Sequence, residues 1–329
     1  VKVTLDLTKL LQEGAITPEE HARLARLGRQ DTGLLLVNVL IGFGVIGVSA
    51  GAVALLPSAL TAVILGSLLM ASGFVLLLSR RPHWAVLANI CILVAALLLG
   101  CGIMLLSQGI GRFDSKGALN GTPWMSLWAA CLVVAALFAG SAVASRSNLL
   151  AALAVLMLFA ALGSSGFYQH ASYTLEVRQP LATIILFTAV ALGAYFASRR
   201  LRSEWERLAI TVARTAVFLV NLGFWVGSLW GDELTWLTAR PGAALSPAFF
   251  AVAWAVALLG VAVWAAREGW RWVLNLAAVF GGIHFYTQWF EYLGATPASV
   301  LAAGVLVLVF AVLLWRLNRQ VSLQPPVGN

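Results

Sequence analysis

From Ala59 to Ser79 the chain reads ALTAVILGSLLMASGFVLLLS without a single charge, and runs of this kind recur to its end. A helix needs about 20 apolar residues to cross a hydrocarbon core of about 30 Å. Repetition of such runs dictates the class: an all-α, polytopic integral membrane protein of about ten transmembrane helices. Approximate limits are 33 to 56, 59 to 79, 84 to 107, 124 to 144, 148 to 167, 181 to 198, 208 to 229, 246 to 266, 270 to 293 and 296 to 317. Pro57, Pro82, Pro123, Pro180, Pro247 and Pro297 fall at or near these ends, where a missing backbone donor does no harm. Trp84, Trp124, Trp230, Trp270 and Trp315 sit there too, as interfacial aromatic belts require. Composition agrees: 61% of residues are hydrophobic and 10% charged, against roughly 45–50% and 25% in soluble domains.

Basic residues set the expected orientation. Of the 21 Lys and Arg, 16 gather on one side of these spans and 4 on the other (Arg112, Lys116, Arg178, Arg240), with Arg214 inside a span. The positive-inside rule then puts both termini in the cytoplasm. The formal net charge of +8 is spread among short loops, so it reads as topology-setting charge and excludes a nucleic-acid patch. The longer connections, Gln108 to Pro123, Tyr168 to Pro180 and Gly231 to Ser246, are too short for a soluble catalytic domain and read as surface loops.

Residues 1–32 form a separate unit, a cytoplasmic amphipathic helical hairpin, ahead of the membrane domain and short cytoplasmic tail of 33–329. Gly14 ends its first helix, and Thr17-Pro18-Glu19-Glu20 supplies an N-cap, a first-turn proline and a capping-box Glu for its second. Its apolar residues, Leu7, Leu10, Leu11, Ile16, Leu24 and Leu27, are too few for a core. They are therefore candidates for packing on the membrane domain, on a second copy, or on an envelope protein. The charged, amphipathic start lacks the apolar core and cleavage site of a signal peptide, so no removable targeting segment is expected.

Chemistry-bearing motifs are scarce. The chain has no H-E-x-x-H, Walker loop or G-x-S-x-G, and Cys91, Cys101 and Cys131 read as small packing residues within spans. Neither a catalytic residue, a metal nor a cofactor is assigned. Small-residue pairs read as helix-packing points: Gly47 with Gly51, Gly66 with Ser67, Gly100 with Gly102, Gly140 with Ser141, and Gly281 with Gly282.

One stretch stands apart, Trp270 to Leu293. His284, Gln288 and Glu291 fall at i, i+4 and i+7, on one helical face, with Glu291 near the outer end and His284 about 10 Å deeper. Intramembrane ionisable groups are costly and mark candidate sites. Arg214 and Asn221 share a face of the seventh span, and Asn38, Asn89 and Asn275 are single amides in others. Arg214 can equally snorkel to the interface, Glu291 can be hydrated at the headgroups, and the amides can serve helix packing. The polar-pathway candidates are Arg214, Asn221, Asn275, His284, Gln288 and Glu291.

The N-terminal LLQEGAITPEEHARL, carried by Gly14, Ile16, Thr17, Pro18, Glu19 and Leu24, leads into a span with Gly42, Gly44, Gly47 and Gly51. Together with the aromatic-then-apolar tail from His284, this resembles the bacterial predicted-membrane-protein family termed domain of unknown function 2157. The resemblance implies a bacterial inner membrane and no particular mechanism. Three functions stay open: a small-solute transporter or envelope-complex component, a scaffold that binds partners through the hairpin, or an enzyme using Glu291 and His284 on a lipid-linked substrate.

Overall fold

The computed structural model describes residues 17, 19–20, 40–41, 43–51, 54, 58–79, 84–109, 125–169, 172–234, 237 and 243–322. It is helical, with two short β-hairpins. The helices are α1 (Ala59–Leu78), α2 (Ala85–Ser107), α3 (Leu127–Ser145), α4 (Asn148–Ala161), α5 (Pro180–Ser198), α6 (Ser203–Trp230), α7 (Pro247–Arg267), α8 (Arg271–Leu293) and α9 (Pro297–Ser322). Strands β1 (Ser165–Gln169) and β2 (Ser172–Glu176) pair antiparallel, as do β3 (Asp232–Glu233) and β4 (Ala244–Leu245).

Six of these helices, α1, α2, α3, α5, α6 and α7, are long and apolar enough to cross a membrane. Their outward faces suit lipid: Leu68 is 65% exposed and Leu259 68%. Over such lengths that is far more apolar surface than water-facing helices carry. Hydropathy predicts ten spans, and in the fifth and ninth of them length or polarity intervenes. The first expected span lies mostly outside the described residues, although 43–51 is helical. The fifth is helical only over the 14 residues of α4, about 21 Å and short of a 30 Å core. Gly163, at φ 79°, then turns the chain into β1. The ninth, α8, has 23 residues but carries polar side chains.

Two of the connections expected as plain loops hold hairpins. Phe167, Tyr168, Tyr173 and Thr174 are residue types that favour a pleated surface, and they pair across β1 and β2, Phe167 with Thr174 and Tyr168 with Tyr173. Apart from Thr17, Glu19 and Glu20, the hairpin expected over residues 1–32 lies outside the described residues, including Leu7, Leu10, Leu11, Ile16, Leu24 and Leu27. Within it, Glu20 N–H donates to Thr17 Oγ1 at 3.2 Å, and Thr17 N–H donates to Glu20 Oε2 at 2.9 Å. This is the reciprocal capping box expected from Thr17 and Glu20 at that spacing.

The chain divides into two compact units: Val1–Gly163 with Val190–Thr215, and Ser164–Ala189 with Ala216–Asn329. In the first, glycines set the spacing of α1 and α2. A Cβ at Gly66 would lie 2.9 Å from Leu99 Cγ, one at Gly73 2.8 Å from Ile92 Cγ1, and one at Gly102 2.6 Å from Val63 Cγ2. Partners descend in number as the glycines ascend, so the two helices run antiparallel in close contact. Gly47, Gly51, Gly140, Gly281 and Gly282 would meet nothing within 4 Å, so of the expected small-residue pairs only those containing Gly66, Gly100 and Gly102 mark close approaches. Behind that contact, Ile92 and Ala96 of α2 pack with Val134 and Phe138 of α3, Leu150 of α4 and Leu208 of α6. The α3–α4 corner is a two-residue turn. Arg146 takes the left-handed conformation (φ 54°), Ser147 N–H donates back to Ala142 O at 3.1 Å, and Ser147 Oγ accepts from Leu150 N–H. That pattern closes α3 and caps α4 at once.

In the second unit Asp232 holds the start of α5. Its side chain is buried, and Oδ2 accepts from Leu181 N–H at 2.8 Å, placing a carboxylate on the first turn of that helix.

Candidate functional site

In the second unit a group of polar side chains collects where α6, α7 and α8 meet. On α8, Val273, Ala277 and Phe280 are the buried positions. Helical periodicity carries that stripe onward to His284, Thr287 and Gln288. The stripe thus changes from apolar to polar partway along one face, which is why α8 packs inward and yet brings hydrogen-bonding groups with it.

Trp254 of α7 lies at the centre. Its side chain is fully enclosed, and its indole N–H donates to Asn221 Oδ1 of α6 at 2.9 Å. Asn221 Nδ2 in turn donates to Val217 O, one turn back, at 2.8 Å. The two bonds fix the amide with its oxygen towards Trp254. Around the indole, Phe224 lies parallel at 6.5 Å and Phe280 tilted at 6.5 Å, while Phe218 meets Phe280 at 5.8 Å. The His284 ring stands edge-on to Trp254, 4.9 Å between centroids. One turn further along, Trp225 Nε1–H donates to Thr287 Oγ1 at 3.0 Å.

Close backbone approach makes this possible. A Cβ at Gly227 of α6 would sit 2.6 Å from Phe250 Cδ1 of α7. A side chain at this position would have to displace the Phe250 ring, one turn before Trp254 on α7.

Two polar atoms in this region are buried without a hydrogen-bond partner: His284 Nδ1 and Gln288 Nε2. They lie one turn apart on the same face of α8. An unmet buried polar group costs about 1–3 kcal/mol, so two adjacent ones are an expensive feature in an otherwise satisfied network. Gln288 can donate from its amide, and His284 Nδ1 donates or accepts according to tautomer. Together they offer a polar ligand complementary contacts about 6 Å apart along the helix, in an aromatic surround.

Of the six residues singled out from sequence, the structure brings Asn221 and His284 together through Trp254, with Gln288 one turn beyond His284. Asn275 is exposed on α8, nine residues before His284, and Glu291 is exposed near the end of that helix. Arg214 is exposed on the part of α6 that belongs to the first unit. Trp254, Trp225 and Thr287 are site residues that the sequence reading does not single out. Trp254 carries a usable signal: it lies mid-run, eight residues past Ser246, away from the interfacial positions where Trp concentrates, and a buried indole N–H demands a partner. Among the described residues, no group of three or more His, Cys, Asp or Glu side chains is placed to hold a metal ion. No protein-family model matches the chain, and no curated protein or solved structure is detectably similar to it.

Proposed function

We propose that this is a bacterial inner-membrane protein of the family termed domain of unknown function 2157, with both termini cytoplasmic, and that it binds and carries a small polar solute at the α6–α7–α8 cluster. The observation that carries the reading is the pair of unpartnered buried atoms, His284 Nδ1 and Gln288 Nε2, beside the Asn221–Trp254 bond. Helix packing alone accounts for Asn221, whose amide nitrogen and oxygen are each bonded, and leaves His284 and Gln288 unexplained. A ligand with one acceptor and one further polar group would satisfy both. Binding, with no chemical step, is the activity this donor set supports.

The test is a thermal-shift screen of small neutral, zwitterionic and anionic solutes on the protein in lipid nanodiscs, followed by uptake into proteoliposomes. A solute that stabilises the wild type and not the His284→Phe/Gln288→Leu variant is expected. A shift of equal size in that variant would remove the cluster from consideration.

A second reading, a scaffold that binds an envelope partner through residues 1–32, is favoured by the Thr17–Glu20 capping box, which fixes a helix start in that segment. Deletion of residues 1–30 distinguishes the two. Loss of co-purifying partners with solute binding intact supports the scaffold, and unchanged co-purification counts against it.

A further inference from the structure

An alanine-lined trough runs along the first unit, between α3, α4 and the start of α6. Seven of its fourteen lining residues are alanine, and the others are Val, Leu and Trp205. Ala135, Ala139 and Ala142 recur at i, i+4 and i+7 on α3, and Ala151 and Ala154 line the α4 side. Small side chains in register on facing helices leave a straight channel where larger ones would close it. Its volume is about 490 Å³, and the stretch from Ala135 to Val143 gives it a length of about 12 Å. The rim opens outward: Val143 is 54% exposed and Leu201 44%. The walls are almost wholly apolar, so an occupant must present hydrocarbon.

Among the described residues, charge gathers at the end of the trough formed by the α3–α4 turn. Arg146, in the α3–α4 turn four residues past Ala142, sets its guanidinium over the Trp205 ring, 5.7 Å from the centroid, and Trp205 lines the trough. Arg199, Arg200, Arg202 and Arg207 are exposed around the α5–α6 connection. Glu204 and Glu206 in the same stretch leave this end net positive. Hydrocarbon along the trough and negative charge at its mouth describe one occupant.

We propose that the trough binds an anionic phospholipid, one acyl chain lying along the alanines and the phosphate at the Arg146–Arg202 end. An apolar helix could pack on the alanines, but it would leave the cations gathered at the α3–α4 mouth without a counter-charge. Juxtamembrane arginines each favour an anionic headgroup by about fivefold. The preference for phosphatidylglycerol over phosphatidylcholine should therefore be severalfold and depend on these side chains.

The experiment is native mass spectrometry of the full-length protein with equimolar phosphatidylglycerol and phosphatidylcholine. Ala139→Phe fills the trough from an exposed position, and Arg146→Asn removes the charge with a residue that tolerates the left-handed conformation. Monodisperse elution of each variant verifies folding. The expected result is a wild-type preference for phosphatidylglycerol, cut about fivefold in Arg146→Asn, and loss of the most tightly held adduct in Ala139→Phe. Arg267→Gln, at the end of α7, should leave the preference intact. Equal uptake of both lipids by the wild type, an unchanged adduct in Ala139→Phe, or an equal loss in Arg267→Gln would each overturn the proposal.

Discussion

The Trp254–Asn221 bond is the connection in the α6–α7–α8 cluster whose energetic weight can be isolated. Asn221→Leu keeps the volume near constant and removes the acceptor of an indole N–H that is fully enclosed. Leaving that donor unmet costs about 1–3 kcal/mol. Interhelical hydrogen bonds between membrane helices average only about 0.6 kcal/mol, with a maximum near 1.7, because the unfolded chain in lipid also finds partners. Full burial of Trp254 between Phe224 and Phe280 puts this pair towards the upper part of that range. Trp254→Phe removes the donor and leaves Asn221 Oδ1 unmet, and the double variant removes both ends. A coupling of about 1 kcal/mol is therefore expected from the cycle. Equilibrium unfolding by sodium dodecyl sulfate in mixed micelles, followed by far-ultraviolet circular dichroism, measures all four corners. Additivity within about 0.3 kcal/mol would show that the bond contributes nothing beyond packing and does not hold the cluster in one geometry.

The unpartnered atoms invert the usual outcome of core mutation. Gln288→Leu should raise stability by about 1 kcal/mol, since it deletes an unmet donor and adds apolar volume, while abolishing the solute-induced thermal shift; a destabilised variant in the same unfolding assay would show that Gln288 is satisfied in the folded protein. Gly73→Val and Gly102→Val should each destabilise the first unit by about 1–3 kcal/mol, because the added carbons meet the side chain and backbone of Ile92 or Val63. Gly140→Val, facing open space, should cost under about 0.5 kcal/mol in the same titration. Asp232→Ala should cost about 1–3 kcal/mol by stripping the carboxylate from Leu181 N–H, and hydrogen exchange at the first turn of α5 should rise with it.

Legibility in the sequence follows the kind of information involved. Long uncharged runs carry their own structure, because every backbone group is satisfied within the segment, and α1, α2, α3, α5, α6 and α7 fall on the expected stretches. The fifth run departs for a local reason. Hydropathy stays high through Leu162, yet Gly163 turns the backbone out of the helix and the residues after it pair as strands. Apolarity says that a segment can leave water and does not say when its helix ends. Glycines show the same limit: Gly66 and Gly140 look alike in sequence, and only the facing helix makes one a close approach and the other open surface.

Site residues are legible where the cost of burial is written in the residue type and illegible where it depends on a partner. His284 and Gln288 stand out because polar groups are rare in a span, and their spacing alone puts them on one helical face. Their significance, however, lies in what they lack, and a missing partner is a property of three helices at once. Arg214 and Glu291 show the converse. Each is as conspicuous in sequence as His284, yet each is exposed and neither joins the cluster around Trp254. Asn221 falls between these cases. Alone in its span it looks like a candidate ligand, but one bond to its own helix and one to Trp254 engage both its nitrogen and its oxygen and fix its orientation. It therefore positions the indole against which His284 stands, and the capacity left for a solute rests on α8.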